Sequence, residues 1–261
     1  MQKLYSIFIV GLLILTSLSV SAQTYVIDTS NVNFESKPRE CLSSVIDPKS
    51  KAIKLAFKRY MKNSYGIKMK GVGFLTNKDV LKAKDVMCGT ISAKRMNIYC
   101  QVVQTPKSSQ MSFFGAFGYD IYVENKVYPA EFNQMRIIMN SFLMQYLNKY
   151  YAQEIESTAA NIKNLNCEKT QLSKDIAHYD RRLARIERRL NSRKQQNITD
   201  EKAKIDNNDK ISTLTGRTTR LTSKKQRANV NLQLIDDKLP KLNINLNDLM
   251  IKQKDLSKVA L

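Results

Sequence analysis

The sequence predicts an α+β protein: a small β-α-β-β-β-α head followed by a long antiparallel α-helical coiled-coil hairpin. Three observations carry the prediction. Apolar residues step by three and four in turn through two stretches of the C-terminal half, the 3.5-residue repeat of a coiled coil. The two stretches flank a short polar link and match one another when the chain is folded there. The region before them alternates apolar and polar residues instead, the period of strands. The implied organisation is a signal peptide over 1–22, a head over 23–145 and a hairpin over 146–261 that turns near 197–200.

Met1–Ala22 has the make-up of a secretory signal peptide. Lys3 supplies the positive end, and Ile7 to Leu15 is an apolar run too short to span a bilayer comfortably. Val20-Ser21-Ala22 sets small residues where a signal peptidase cuts, so the mature chain is expected to begin near Ala22/Gln23. The protein is then expected in the periplasm or outside the cell. No other apolar run is long enough to cross a membrane, so no transmembrane span is expected after signal removal. No cysteine follows the cut, which argues against a lipid anchor.

In the head, Gln23–Phe34 reads as a strand. Asp47-Pro48 reads as a helix start, with Asp as cap and Pro at the first helical position. Ile53, Phe57, Tyr60 and Met61 give that helix an apolar face, and Lys51, Lys54, Lys58 and Lys62 a basic one. Strands are predicted at about Asp85–Ile91, Met96–Val103 and Gln110–Val123. A turn around Ala93-Lys94-Arg95 sets Cys88 opposite Cys100, the candidate disulfide in an oxidising compartment; the alternative is two buried thiols. Gly115 and Gly118 suggest a bulge or bend in the last strand. Pro129 opens the long helix. Its first turns carry Phe132, Met135, Met139, Phe142, Leu143, Tyr146 and Tyr150 and suit packing on a sheet.

The first seam of the hairpin has Ile155, Ile162, Ile176, Leu183 and Leu190 at one position of the repeat. Leu165, Leu172, Tyr179 and Ile186 stand at the other. The second begins at Ile211 and runs through Leu214, Leu221, Leu232, Ile235, Leu239, Leu242, Leu246, Leu249 and Leu256. A fold at Asn197–Glu201 sets Leu183 against Leu214, Ile186 against Ile211, Ile176 against Leu221, Leu165 against Leu232 and Ile162 against Ile235. Each pair has the same sum of residue numbers. That favours pairing within one chain; the alternative is that each helix pairs with a second chain. Lys169 meets Ala228 and Lys225 meets Leu172, and a lysine stem can run past such a layer with its ammonium in water. Pro240 deletes one helical hydrogen bond, so a kink or break is expected near Asp236–Leu239.

This layout resembles a group of secreted proteins from Bacteroidota-type bacteria with an α+β head and a C-terminal coiled coil. The resemblance rests on the signal peptide ending near Ala-Gln and on a Lys-rich helix with aromatics, Phe57-Lys58-Arg59-Tyr60-Met61-Lys62. It also rests on a strand pair with Ile91-Ser92 and Ile98-Tyr99-Cys100, and on the Phe/Gly-rich strand Phe113-Phe114-Gly115-Ala116-Phe117. It covers most of the chain. It implies architecture and compartment but no activity. The coiled coil departs from the group in being rich in Arg and poor in Glu.

Enzyme templates find little support. The only histidine, His178, falls on the coiled coil, so Ser-His and Cys-His catalysis and a His-based metal site have no basis in the head. Asp28, Asp79, Asp85 and Asp120 are scattered acids, and a carboxylate-based hydrolase is the weakest reading. Gly71-Val72-Gly73 lacks the lysine and spacing of a phosphate loop. No cofactor is implied. Charge is the main functional lead. The formal net charge is +20, and residues 181–227 hold 15 basic against 5 acidic side chains. Arg181, Arg182, Arg185, Arg188, Arg189, Arg193 and Lys194 come from the first seam's helix, and Arg217, Arg220 and Lys224 from the second. Internal pairing cannot neutralise them, and an anionic partner would relieve their repulsion. The reading is a non-enzymatic envelope protein whose arm docks on an anionic envelope component or an acidic protein surface. The alternative is a periplasmic holdase chaperone with several basic arms. A homo-oligomer fits either reading. Export argues against nucleic acid as the partner.

Overall fold

The computed structural model describes residues 25–73, 77–118 and 120–259. The expected signal peptide, 1–22, lies outside the described residues. The fold is mixed α+β, a six-stranded antiparallel sheet with helices. In chain order the elements are β1 (Asp28–Phe34), β2 (Lys37–Ile46), α1 (Ser50–Tyr65), β3 (Lys70–Val72), β4 (Asn77–Cys88), β5 (Ser92–Gln104), β6 (Ser109–Ala116), α2 (Pro129–Lys194) and α3 (Glu201–Val259). The sheet order is β1-β2-β6-β5-β4-β3. The head therefore has two strands, β2 and β3, beyond the expected β-α-β-β-β-α. Among the described residues, no helix is long and apolar enough to cross a membrane.

β1 and β2 form a hairpin whose two loop residues, Glu35 and Ser36, have φ angles of 53° and 63°. Positive φ at both central positions matches the twist of paired strands. β4 and β5 turn at Gly89-Thr90-Ile91, where the Ile91 amide donates to the Cys88 carbonyl at 2.8 Å. The turn was expected around Ala93–Arg95. This register sets Cys88 opposite Ser92, and Cys100 between Leu81 and Phe113. The expected Cys88–Cys100 pairing is therefore not formed; both are free, buried thiols. Gly115 sits in an unbroken β5–β6 ladder rather than at a bulge. A Cβ there would come within 2.8 Å of Met96 Cε and 3.5 Å of Met135 Sδ, so the glycine admits two methionines.

One sheet face packs on α1 and the first turns of α2. Ile53, Phe57 and Met61 of α1 are fully buried, as are Met135, Ile138, Met139, Leu143 and Leu147 of α2. The Phe57 ring meets Phe113 of β6 edge-on at 5.3 Å and Phe142 of α2 at 5.0 Å. The opposite face carries Cys41, Tyr99, Phe114, Ala116 and Tyr122, with Val32, Phe34 and Val80 packed against them. Tyr99 and Phe114 stack at 5.1 Å, and the Arg39 guanidinium lies 3.9 Å from the Tyr122 ring centre.

The α1 lysines do not form a purely solvated face. Lys54 is buried and its Nζ donates to the Lys78 carbonyl at 3.0 Å; Lys58 Nζ donates to the Val72 carbonyl at 2.9 Å. A buried ammonium persists because it is hydrogen-bonded. Gly71, with φ 128°, lets β3 approach β4: a Cβ would stand 2.6 Å from the Val80 carbonyl oxygen.

The chain divides into two compact units, 1–153 with 250–261, and 154–249. The C-terminal turns of α3 thus belong with the sheet. Lys252 Nζ lies 2.5 Å from Asp47 Oδ2, which also accepts from the Tyr151 hydroxyl at 2.9 Å. α3 remains helical through Pro240, so it does not break at 236–239.

Candidate anion-binding site

Within the unit spanning 154–249, residues of α2 and α3 share one apolar cluster. Ile186, Leu214 and Leu221 are its buried members, and Tyr179, Leu183 and Leu190 pack against them. Polar residues tie the same helices together. Arg193 Nη1 donates to Asn207 Oδ1 at 3.1 Å, and Asn207 Nδ2 donates to the Arg193 carbonyl at 3.2 Å. That carbonyl lies in the last turn of α2 and also accepts from the Gln196 amide at 3.4 Å. The intruding lysines are paired: Lys169 Nζ lies 2.6 Å from Asp236, and Lys225 Nζ 2.5 Å from Asp180. Each aspartate stands eight residues, about 12 Å along its helix, from the residue expected to face that lysine, farther than a lysine stem reaches. The expected Lys169–Ala228 and Lys225–Leu172 layers are therefore not the ones these pairs mark.

The apolar cluster gives way to a basic hollow. It is lined by Arg188, Arg189, Ser192 and Arg193 of α2, by Gln196 just past its end, and by Lys210, Thr213, Leu214 and Arg217 of α3. The lining follows from helical spacing. Arg189, Ser192 and Arg193 stand at i, i+3 and i+4 of α2, and Lys210, Thr213, Leu214 and Arg217 at i, i+3, i+4 and i+7 of α3. Four of the basic residues singled out from sequence, Arg188, Arg189, Arg193 and Arg217, thus share one site. Arg181, Arg182, Arg185, Lys194, Arg220 and Lys224 lie outside it and are exposed. The sequence reading missed Lys210, Ser192, Thr213 and the supporting Asn207. The repeated spacing was the signal that would have found them.

Among the described residues, none of Arg181, Arg182, Arg185, Arg188, Arg189, Arg193, Lys194, Arg217, Arg220 and Lys224 has a carboxylate within 4.0 Å. Of the hollow's cations only Lys210 is paired, with Asp206 one turn earlier. Arg181, Arg185 and Arg188 turn Nε back to the carbonyl four residues earlier, at 3.2, 3.3 and 3.4 Å. Their Nη groups make no hydrogen bond within the described chain. Guanidinium forks beside Ser and Thr hydroxyls form a donor set with the geometry that oxyanions accept.

Elsewhere, ionisable groups serve as structural ties. Arg95 donates to Asp85 at 2.6 Å and holds its carboxyl below the usual carboxylate range. Lys37 at 2.9 Å and Arg39 do the same for Asp120. His178 is exposed on α2. Burial pushes the thiols of Cys41, Cys88 and Cys100 up, while Cys167 on α2 is exposed. Comparison with family models, with curated proteins and with solved structures yields no match.

Proposed function

We propose that the chain is a non-enzymatic exported envelope protein whose two long helices form an antiparallel coiled-coil hairpin. Its basic end docks on an anionic envelope component. One observation carries this reading: the hollow gathers Arg188, Arg189, Arg193, Lys210 and Arg217, and among the described residues only Lys210 is in an ion pair, with Asp206. Five cations held on one rigid framework repel one another. A bound polyanion removes that repulsion and gains several charge-assisted hydrogen bonds at once. Supporting the hairpin, partners on the two helices run in opposite directions, from Lys169–Asp236 through Asp180–Lys225 to Arg193–Asn207.

The test is binding to vesicles containing anionic phospholipid, with neutral vesicles as control. Replacing Arg188, Arg189, Arg193 and Arg217 together by Gln is expected to weaken binding at least tenfold. Binding by the parent is expected to fall steeply with salt. Extending the replacement to Arg181, Arg182 and Arg185 is expected to remove what remains. A parent protein that ignores anionic vesicles at low salt ends this proposal.

A further inference from the structure

α3 carries a further row at seam spacing that is exposed among the described residues. Its hairpin seam includes Leu232, Ile235, Leu239, Leu242, Leu246 and Leu249, of which Ile235, Leu239 and Leu249 are buried. Two residues after each member stand Leu234, Asp237, Lys241, Ile244, Asp248 and Ile251. Two residues turn a helix by about 200°, so this second row follows the same 3.5-residue repeat on the opposite side of α3. Val230 precedes it in step. Val230, Leu234 and Ile244 are 54%, 50% and 64% exposed. Along this row Val230 and Leu234 on one side and Ile244 on the other flank the charged residues Asp237 and Lys241.

The charges within the row identify the occupant. Laid antiparallel against a copy of itself about a two-fold axis at Leu239, the row sets Leu234 opposite Ile244 of the other copy. The same alignment sets Asp237 opposite Lys241, and both pairs occur twice. The alignment also sets Val230 opposite Asp248, and shifting the copy by one heptad either way loses both Asp237–Lys241 pairs. Self-complementarity of this kind is what an isologous interface requires. Asp237 is not otherwise committed: it accepts one hydrogen bond, from the Gln233 amide at 3.2 Å, and Lys241 makes no ion pair among the described residues. The stretch also suits close approach of two copies. Residues 228–249 hold Lys238 and Lys241 against Asp236, Asp237 and Asp248, whereas residues 181–227 would repel their own copy.

We propose that residues 230–251 of α3 form a homodimer interface, in which two copies pack antiparallel through Leu234–Ile244 layers flanking reciprocal Asp237–Lys241 pairs. Charge reversal with light scattering tests it on the full mature chain. The parent is expected at twice the chain mass. Asp237→Lys and Lys241→Asp are each expected at the chain mass, and the double variant is expected to recover the dimer. Both positions are exposed, and circular dichroism checks that helix content is unchanged. A parent at the chain mass, a ring of three or more, or a dimer that neither single reversal weakens would overturn the proposal. A second measurement stands apart from solubility of the charge variants. In a Cys167→Ser background, chains with Leu234→Cys and chains with Ile244→Cys are expected to crosslink when mixed and not alone. Crosslinks within either pure population and none across the mixture would overturn the antiparallel register.

Discussion

Glu35 and Ser36 adopt left-handed φ angles with neither glycine nor asparagine to ease them. Such a conformation costs an ordinary residue about 1–2 kcal/mol. Glycine gives back about 0.5–1 kcal/mol through its freer unfolded chain. Ser36→Gly is therefore expected to stabilise the fold by roughly 0.5–1 kcal/mol, read as a higher denaturant midpoint at unchanged slope. An unmoved midpoint would show that the turn is unstrained. The same residues explain why β2 is illegible in the sequence. Glu-Ser carries no hairpin signal, and Cys41-Leu42-Ser43-Ser44 does not alternate. Cys41 and Leu42 are both fully buried, on opposite faces of the sheet, so period 2 cannot mark the strand. Lys54 is a second case. Its spacing places it on a charged face, but the edge of β4 supplies a carbonyl that only the folded sheet brings there.

At the scale of elements, the long helices are the best-marked features, because a 3.5-residue repeat needs only spacing to be seen. Leu183 packs against the buried cluster of Ile186, Leu214 and Leu221. A carboxylate placed there has no partner and must be desolvated. Leu183→Asp is expected to destabilise the 154–249 unit by roughly 2–3 kcal/mol. Limited proteolysis should then cut inside 154–249 several-fold faster while the sheet-bearing fragment persists. Identical digestion of variant and parent would rule out a shared internal seam. Pro240 shows the limit of element-level rules. One lost hydrogen bond does not end a helix whose Leu239 and Leu249 are buried on either side of it.

Across the whole molecule, the cysteines report on the two units separately. Cys41, Cys88 and Cys100 are buried in the sheet, and Cys167 is exposed on α2 in the other unit. With thiolate the reactive form and burial raising the three sheet thiols, a maleimide probe is expected to label Cys167 alone in the native protein. The other three should follow only on unfolding, and they should stay protected in Leu183→Asp. Fast labelling of a sheet cysteine in the parent would contradict the packing described. The sequence by itself determined what is local or additive: the two apolar seams, the aromatic first turns of α2, and the concentration of positive charge in 181–227. Each depends on residue type and spacing along one element. Only the tertiary structure decided the strand order, the β4–β5 register that separates Cys88 from Cys100, and the grouping of Arg188, Arg189, Arg193, Lys210 and Arg217 about one hollow. Those depend on which distant segments meet, and that is settled by packing whole faces together rather than by any pattern within one of them.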